Sequence, residues 1–207
     1  MIGAVVLAAG ASSRMGQPKA ALPMGPRGET VLSRGVTSLL AAGVPRVVVV
    51  SGAHPDAVRL ALRLRDPRVR VVDNPAWREG QLSSLLCGLA ALDGPALEAM
   101  LMTLVDVPLV APDTIRRLMR TWRETGAPIV RPARGEEHGH PVLFARRVFA
   151  ELRAADPASG AKPVVHAHAT DLVNVPARDD GAFLDLDTPA DYERALALAS
   201  RACALSD

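Results

Sequence analysis

Aromatic residues are scarce in this chain: three Phe, two Trp and one Tyr among 207 residues, or 3%. That scarcity argues against a stacking platform for single-stranded nucleic acid. It also leaves Ala, Val and Leu to build the core, which suits α/β layers. Cysteine is scarcer still. Cys87 and Cys203 have no close spacing, so they form neither a disulfide framework nor a zinc site, although the sequence leaves their pairing open. Neither sign of charge dominates: 24 basic and 22 acidic residues give a net +2. That near-balance offers no general electrostatic reason to bind nucleic acid or an anionic membrane. No apolar run reaches transmembrane length. The first residues enter an apolar segment without a basic n-region, long h-region or cleavage motif, so the expected location is cytoplasmic.

What is present is hydrophobic and orderly. Hydrophobic residues make up 49%, enough for a globular core, and the length favours a single domain over residues 1–207. Strand and helix signals alternate. A short apolar run beginning at Val5 and ending in a small-residue loop reads as a first strand buried on both faces. Thr30 caps a helix through about Ala42, ended by Gly43. Four consecutive valines within Arg46 to Ser51 predict a strand, a helix follows from about Pro55 to Leu64, and Val69 to Val72 is a further short strand. Leu82, Leu85, Leu86 and Leu89 form one stripe of a helix from about Gln81 to Leu92. Ala99 to Val105 is the next strand, and Pro112 opens a helix through about Arg123. Short strands are expected at Pro128–Arg131, Pro141–Phe144, Asp171–Val175 and Phe183–Leu186, with Phe149 in a short helix. Thr188 caps a last helix, with Pro189 at its first position. This order predicts a mostly parallel sheet covered by helices on both faces. Ligands of such sheets bind outside the carboxyl ends of the strands, where both the Gly10 loop and Asp106 fall.

The loop after the first strand carries the strongest chemical signal. Gly10 and Gly16 permit tight turning or close approach, and Arg14 and Lys19 add positive charge beside backbone N–H groups, a combination suited to polyphosphate. It is not a Walker A loop, because Gln17 follows Gly16, nor a dinucleotide fingerprint, because Ser12 stands two residues after Gly10. It resembles the L-A-A-G-x-S-x-R-M-G-x-x-K signature of the nucleotidyltransferases that activate the molybdenum cofactor. Leu7, Ala8, Ala9, Gly10, Ser12, Arg14, Met15, Gly16 and Lys19 all match.

Further motifs follow in the family's order. Asp106 ends an apolar strand before Val107-Pro108-Leu109. Alone it reads as a turn-capping Asp; facing a phosphate loop it suits Mg²⁺, which is shared between one or two carboxylates and substrate phosphates. The D-x-P-L pattern is similar to the family's metal motif. Asp185 and Asp187 alternate along the expected strand and so share a face; the stretch through Asp191 resembles the D-x-D-T-P-x-D segment of cytidylyl-transferring members, which implies that Asp187 joins Asp106 at the metal with Asp185 close by. Ser83 and Ser84 read either as plain helix-start residues or as ligand contacts in a first helical turn. The resemblance favours Ser84 as a nucleotide contact and assigns nothing to Gln81. The G-H-P-V-L-F stretch resembles the acceptor-side loop of molybdenum cofactor cytidylyltransferases. His140 is therefore either a pterin or phosphate contact or a structural loop histidine. His138, His166 and His168 receive no role, since H-x-H alone is a weak metal signal.

The resemblance implies a three-layer, Rossmann-like α/β fold of the nucleotide-diphospho-sugar transferase type and a Mg²⁺-dependent transfer of CMP from CTP to molybdopterin or its metal-loaded form. Lys19, Arg14 and Asp106 are the implied catalytic residues. Leu7, Ala8, Ala9, Gly10, Ser12, Ser13, Gly16 and Ser84 would bind nucleotide, His140 the acceptor, and Asp106 with Asp187 the metal. L-A-A-G, rather than L-A-G-G, favours CTP over GTP through the Ala9 methyl. The alternatives are a guanylyltransferase on the same acceptor, a cytidylyltransferase on a sugar or polyol phosphate, and a non-catalytic delivery protein. A molybdoenzyme or its chaperone is the implied downstream partner.

Overall fold

The computed structural model describes residues 1–12, 16–157 and 159–204. The expected Ser13 and Arg14 contacts lie outside those residues. The fold is a mixed, mostly parallel eight-stranded sheet with helices on both faces. The strands are β1 (Ile2–Ala8), β2 (Val47–Ser51), β3 (Val69–Asp73), β4 (Ala99–Leu104), β5 (Ile129–Arg134), β6 (Glu137–His138), β7 (Val142–Ala145) and β8 (Val173–Pro176). The helices are α1 (Val31–Ala41), α2 (Pro55–Leu62), α3 (Gln81–Leu92), α4 (Pro112–Thr125), α5 (Phe149–Ala154), α6 (Lys162–Ala167) and α7 (Pro189–Ala204). The sheet order is β3-β2-β1-β4-β7-β5-β6, with β8 also beside β5. β7 runs antiparallel to both β4 and β5, whereas β1 to β4 are mutually parallel.

The strands alternate between two cores because successive side chains point to opposite faces. Ala4, Val6 and Ala8 of β1 join Val47 and Val49 of β2 under α1, α2 and α4. Val5 and Leu7 join Val48 and Val50 under α3, α5 and α6. Both faces of β1 are apolar because both are covered. Thr30 and Ser33 form a reciprocal capping box that starts α1. A third cluster seats α7, through Ala195, on Leu22, Met24, Val31 and Leu186.

One expected strand is absent. Phe183–Leu186 is a loop following a short 3-10 turn at Asp180–Ala182. Leu186 is fully buried and its N–H donates to the Asp106 carbonyl at 2.9 Å, so the segment is fixed by one plug and one backbone bond instead of a ladder. Asp179 anchors it from behind, its carboxylate accepting from the N–H of Ala111 and the hydroxyl of Thr114 at the start of α4. The hairpin before β7 presses on the same segment. A side chain at Gly139 would overlap the Ala182 carbonyl oxygen, so only glycine allows that approach. No described helix is long and apolar enough to cross a membrane, and Cys87 is a free thiol.

Candidate active site

The carboxyl ends of β1, β2 and β4 open into a cavity of about 720 Å³. Leu7, Ala8, Ala9, Gly10 and Ser12 line one side, and Lys19, Asp106 and Asp187 another. Ser84, at the start of α3, lines it as well. Gly16 and His140 do not lie among the lining residues.

Lys19 sits on a single 3-10 turn, Lys19–Ala21, and its backbone N–H donates to the Ser12 hydroxyl at 3.1 Å. That bond ties the turn to the loop after β1. The Lys19 ammonium reaches Asp106 Oδ2 at 3.0 Å and Asp187 Oδ1 at 2.9 Å. Three segments, 87 and 168 residues apart in sequence, therefore meet at one cation. Burial alone would lower the lysine pKa, but the hydrogen bonds and charges of Asp187 and Asp106 outweigh it, so the pKa is raised and the group is held as an ammonium. Asp185 lies nearby, exposed at the surface. Desolvation first, then the charges of Asp106 and Asp187, push its carboxyl above the usual range, with Lys19 opposing.

The donor set fits a divalent cation shared with phosphates. Asp106 Oδ1 is buried without a hydrogen-bond partner, a carboxylate oxygen left available beside the lysine contact. No group of three or more His, Cys, Asp or Glu side chains capable of holding a metal occurs among the described residues. A magnesium ion, which keeps water and substrate phosphate ligands, does not require such a cage.

Ser83 is engaged internally. Its hydroxyl lies 2.9 Å from the carbonyls of both Ala76 and Gly80, its single proton reaching one of them, and accepts from the Asn74 amide. Ser84 accepts from the same amide at 3.0 Å while lining the cavity. His140 lies close enough to Asp106 to feel its charge. Burial lowers its pKa against the pull of the Met102 carbonyl and the Asp106 charge, and its Nδ1 is buried without a partner. His168 is bound on both ring nitrogens, to Glu151 and Asp171. His54, Trp77 and Arg78 line the cavity and carried no sequence assignment. His54 Nε2 lies 3.2 Å from the Ala11 carbonyl. The available signals were position after β2 for His54, and for Trp77 its rarity in an aromatic-poor chain.

Residues 4–172 match the family model described as the MobA-like NTP transferase domain. The "Probable molybdenum cofactor guanylyltransferase" of Mycobacterium avium is 30% identical over 189 residues, covering 85% of this chain and 91% of that protein. The "Molybdenum cofactor cytidylyltransferase" of Escherichia coli is 25% identical over 191 residues, covering 92% and 93%. A "Nicotine blue oxidoreductase" of Paenarthrobacter nicotinovorans is 38% identical over 120 residues, 58% of this chain and 56% of that protein, so the chain matches only about half of that relative's length. Among solved structures, Rv0371c of Mycobacterium tuberculosis superposes with a TM-score of 0.78 at 33% identity, covering 95% of this chain and 97% of that one. A structure of Rv0371c described as a complex with manganese gives 0.72 at 31% identity, covering 95% and 98%.

Proposed function

The chain belongs to the MobA-like NTP transferase family, and from that premise we propose that it moves CMP from CTP onto the terminal phosphate of a molybdopterin-type acceptor. The observation that carries this reading is the Lys19 ammonium held between Asp106 and Asp187 at the edge of the cavity lined by Ala8, Ala9 and Gly10. Cation and carboxylates together suit a triphosphate and its counter-ion.

In the reaction, an acceptor phosphate oxygen bonds to the α-phosphorus of CTP. The bond from that phosphorus to the bridging oxygen breaks, and pyrophosphate departs with the electron pair. A phosphate monoester has a second pKa of about 6, so it is largely dianionic near neutrality and needs no general base. The protein's task is to align two anions and offset their charge. Lys19 faces the phosphates under attack and leaving, and the Gly10 loop with Arg14 holds the β and γ groups. A magnesium ion held by Asp106 and Asp187 would supply further neutralisation there; the manganese complex of Rv0371c supports divalent-metal use. The product would pass to a molybdoenzyme or its chaperone.

Transfer of GMP from GTP to the same acceptor is the second reading. Relatives named as guanylyltransferases match at 30% identity over most of the chain. Ala9 and the Asp185-x-Asp187 pattern favour CTP. The test is incubation with Mg²⁺, molybdopterin and each of the four NTPs in turn, following pyrophosphate. Release with CTP alone, and only with the pterin present, supports the first reading; release with GTP replaces it with the second. Release with neither rejects both.

A further inference from the structure

We propose that Trp77, with Arg78 stacked on its ring, is the wall of the cavity against which the nucleobase packs. This rests on the nucleotide reading above and adds a residue that sets nucleoside affinity. Both side chains line the cavity that holds Lys19 and Asp106. Among the described residues lining it, Trp77 is the one Phe, Tyr or Trp. The chain has only one other tryptophan. Trp122 is likewise partly buried, but it packs against the apolar core beneath α1, α2 and α4. Trp77 is half-buried with no comparable apolar cluster around it.

The ring is also pre-arranged. The Arg78 guanidinium carbon lies 4.5 Å from the Trp77 centroid, a cation–π contact that favours one placement of the ring. The tryptophan stem is fixed by the backbone after β2. A Cβ at Gly52 would come within 2.7 Å of the Trp77 Cβ and 2.8 Å of the Ala9 Cβ. Ala9 and Trp77 thus close on the same glycine, and the residue assigned to base choice shares its support with the tryptophan. Phosphate-binding groups and an aromatic ring in one cavity match the two halves of a nucleotide. Stacking on an aromatic side chain tolerates either base, so the wall serves CTP and GTP alike.

The test is a binding experiment in a Trp122→Phe background with MgCl₂ present. Titration with CTP and GTP should quench the remaining tryptophan fluorescence saturably, while inorganic tripolyphosphate binds without an equal quench. Trp77→Ala should raise the Kd for the preferred nucleotide roughly 5- to 150-fold, the range stacking gives, and leave the calorimetric Kd for tripolyphosphate within about twofold. Trp77→Phe should recover most of the lost affinity, since it restores a ring of similar placement. Equal weakening of nucleotide and tripolyphosphate would make Trp77 structural and overturn the proposal. An unchanged nucleotide Kd would overturn it too. Wild-type protein that binds neither nucleotide would overturn the nucleotide reading and this inference together, a pattern distinct from failure of the Trp77 variants alone.

Discussion

Replacing Lys19 with alanine should damage activity and stability by separable amounts. The ammonium lies 3.0 Å from Asp106, with side-chain exposures of 12% and 21%. The second pair, 2.9 Å to Asp187, is weaker in water because that aspartate is 53% exposed and screened. Exposed pairs contribute up to about 1 kcal/mol, and breaking a buried one costs about 3–5 kcal/mol. This cluster falls between, so Lys19→Ala should destabilise the metal-free protein by about 1–3 kcal/mol. For a chain of this size that lowers the melting temperature by roughly 2–12 °C. Added MgCl₂ should narrow the gap, because a divalent cation can replace the missing charge between the carboxylates. Turnover should fall at least about a hundredfold, the usual effect of losing one group that stabilises charge in the transition state. Thermal melts with and without Mg²⁺ and a pyrophosphate-release assay read the two effects. An unchanged melting temperature together with less than about a tenfold loss of turnover would refute the reasoning.

Other substitutions divide the site further. Asp106→Asn should flatten the magnesium dependence of turnover, and a titration curve matching wild type would remove Asp106 from the metal. Asp185→Asn should raise the melting temperature of the metal-free protein near neutrality. Desolvation, Asp106 and Asp187 raise the Asp185 pKa, so this carboxyl favours folding below its unfolded value and that benefit is lost as pH rises through the raised one. The gain from the amide should therefore shrink as pH falls toward 3.8, and a gain that is constant with pH would contradict the assignment. Ala9→Gly should shift the ratio of kcat/KM for CTP and GTP toward GTP. An unmoved ratio would place base choice elsewhere.

Much of the framework was legible because local signals and burial agree. The capping pair at Thr30 and Ser33, the leucine stripe of α3 and the valine run of β2 each specify an element without distant help. The convergence of Lys19 with Asp106 follows from their positions after β1 and β4, which are neighbours in the sheet. The Phe183–Leu186 segment misled because apolar–polar alternation signals an extended chain, not a pairing partner. Among the described residues, its backbone bond to the segment after β4 is the one from Leu186 to Asp106. Ser83 could not be separated from Ser84 by sequence, since the difference lies in carbonyls of the preceding turn that only Ser83 reaches. His140 carries a motif match but does not line the cavity, although the β7 strand that follows it runs antiparallel alongside β4. Trp77 went unassigned because no spacing rule connects a residue before α3 to a glycine after β2.

The most direct measurement is a crystal structure with Mn²⁺ and a CTP analogue that cannot be cleaved between its α and β phosphates. The account predicts metal density touching both Asp106 and Asp187, with the triphosphate lying between the Gly10 loop and Lys19. A triphosphate bound away from that loop, or a metal in contact with neither aspartate, would contradict it.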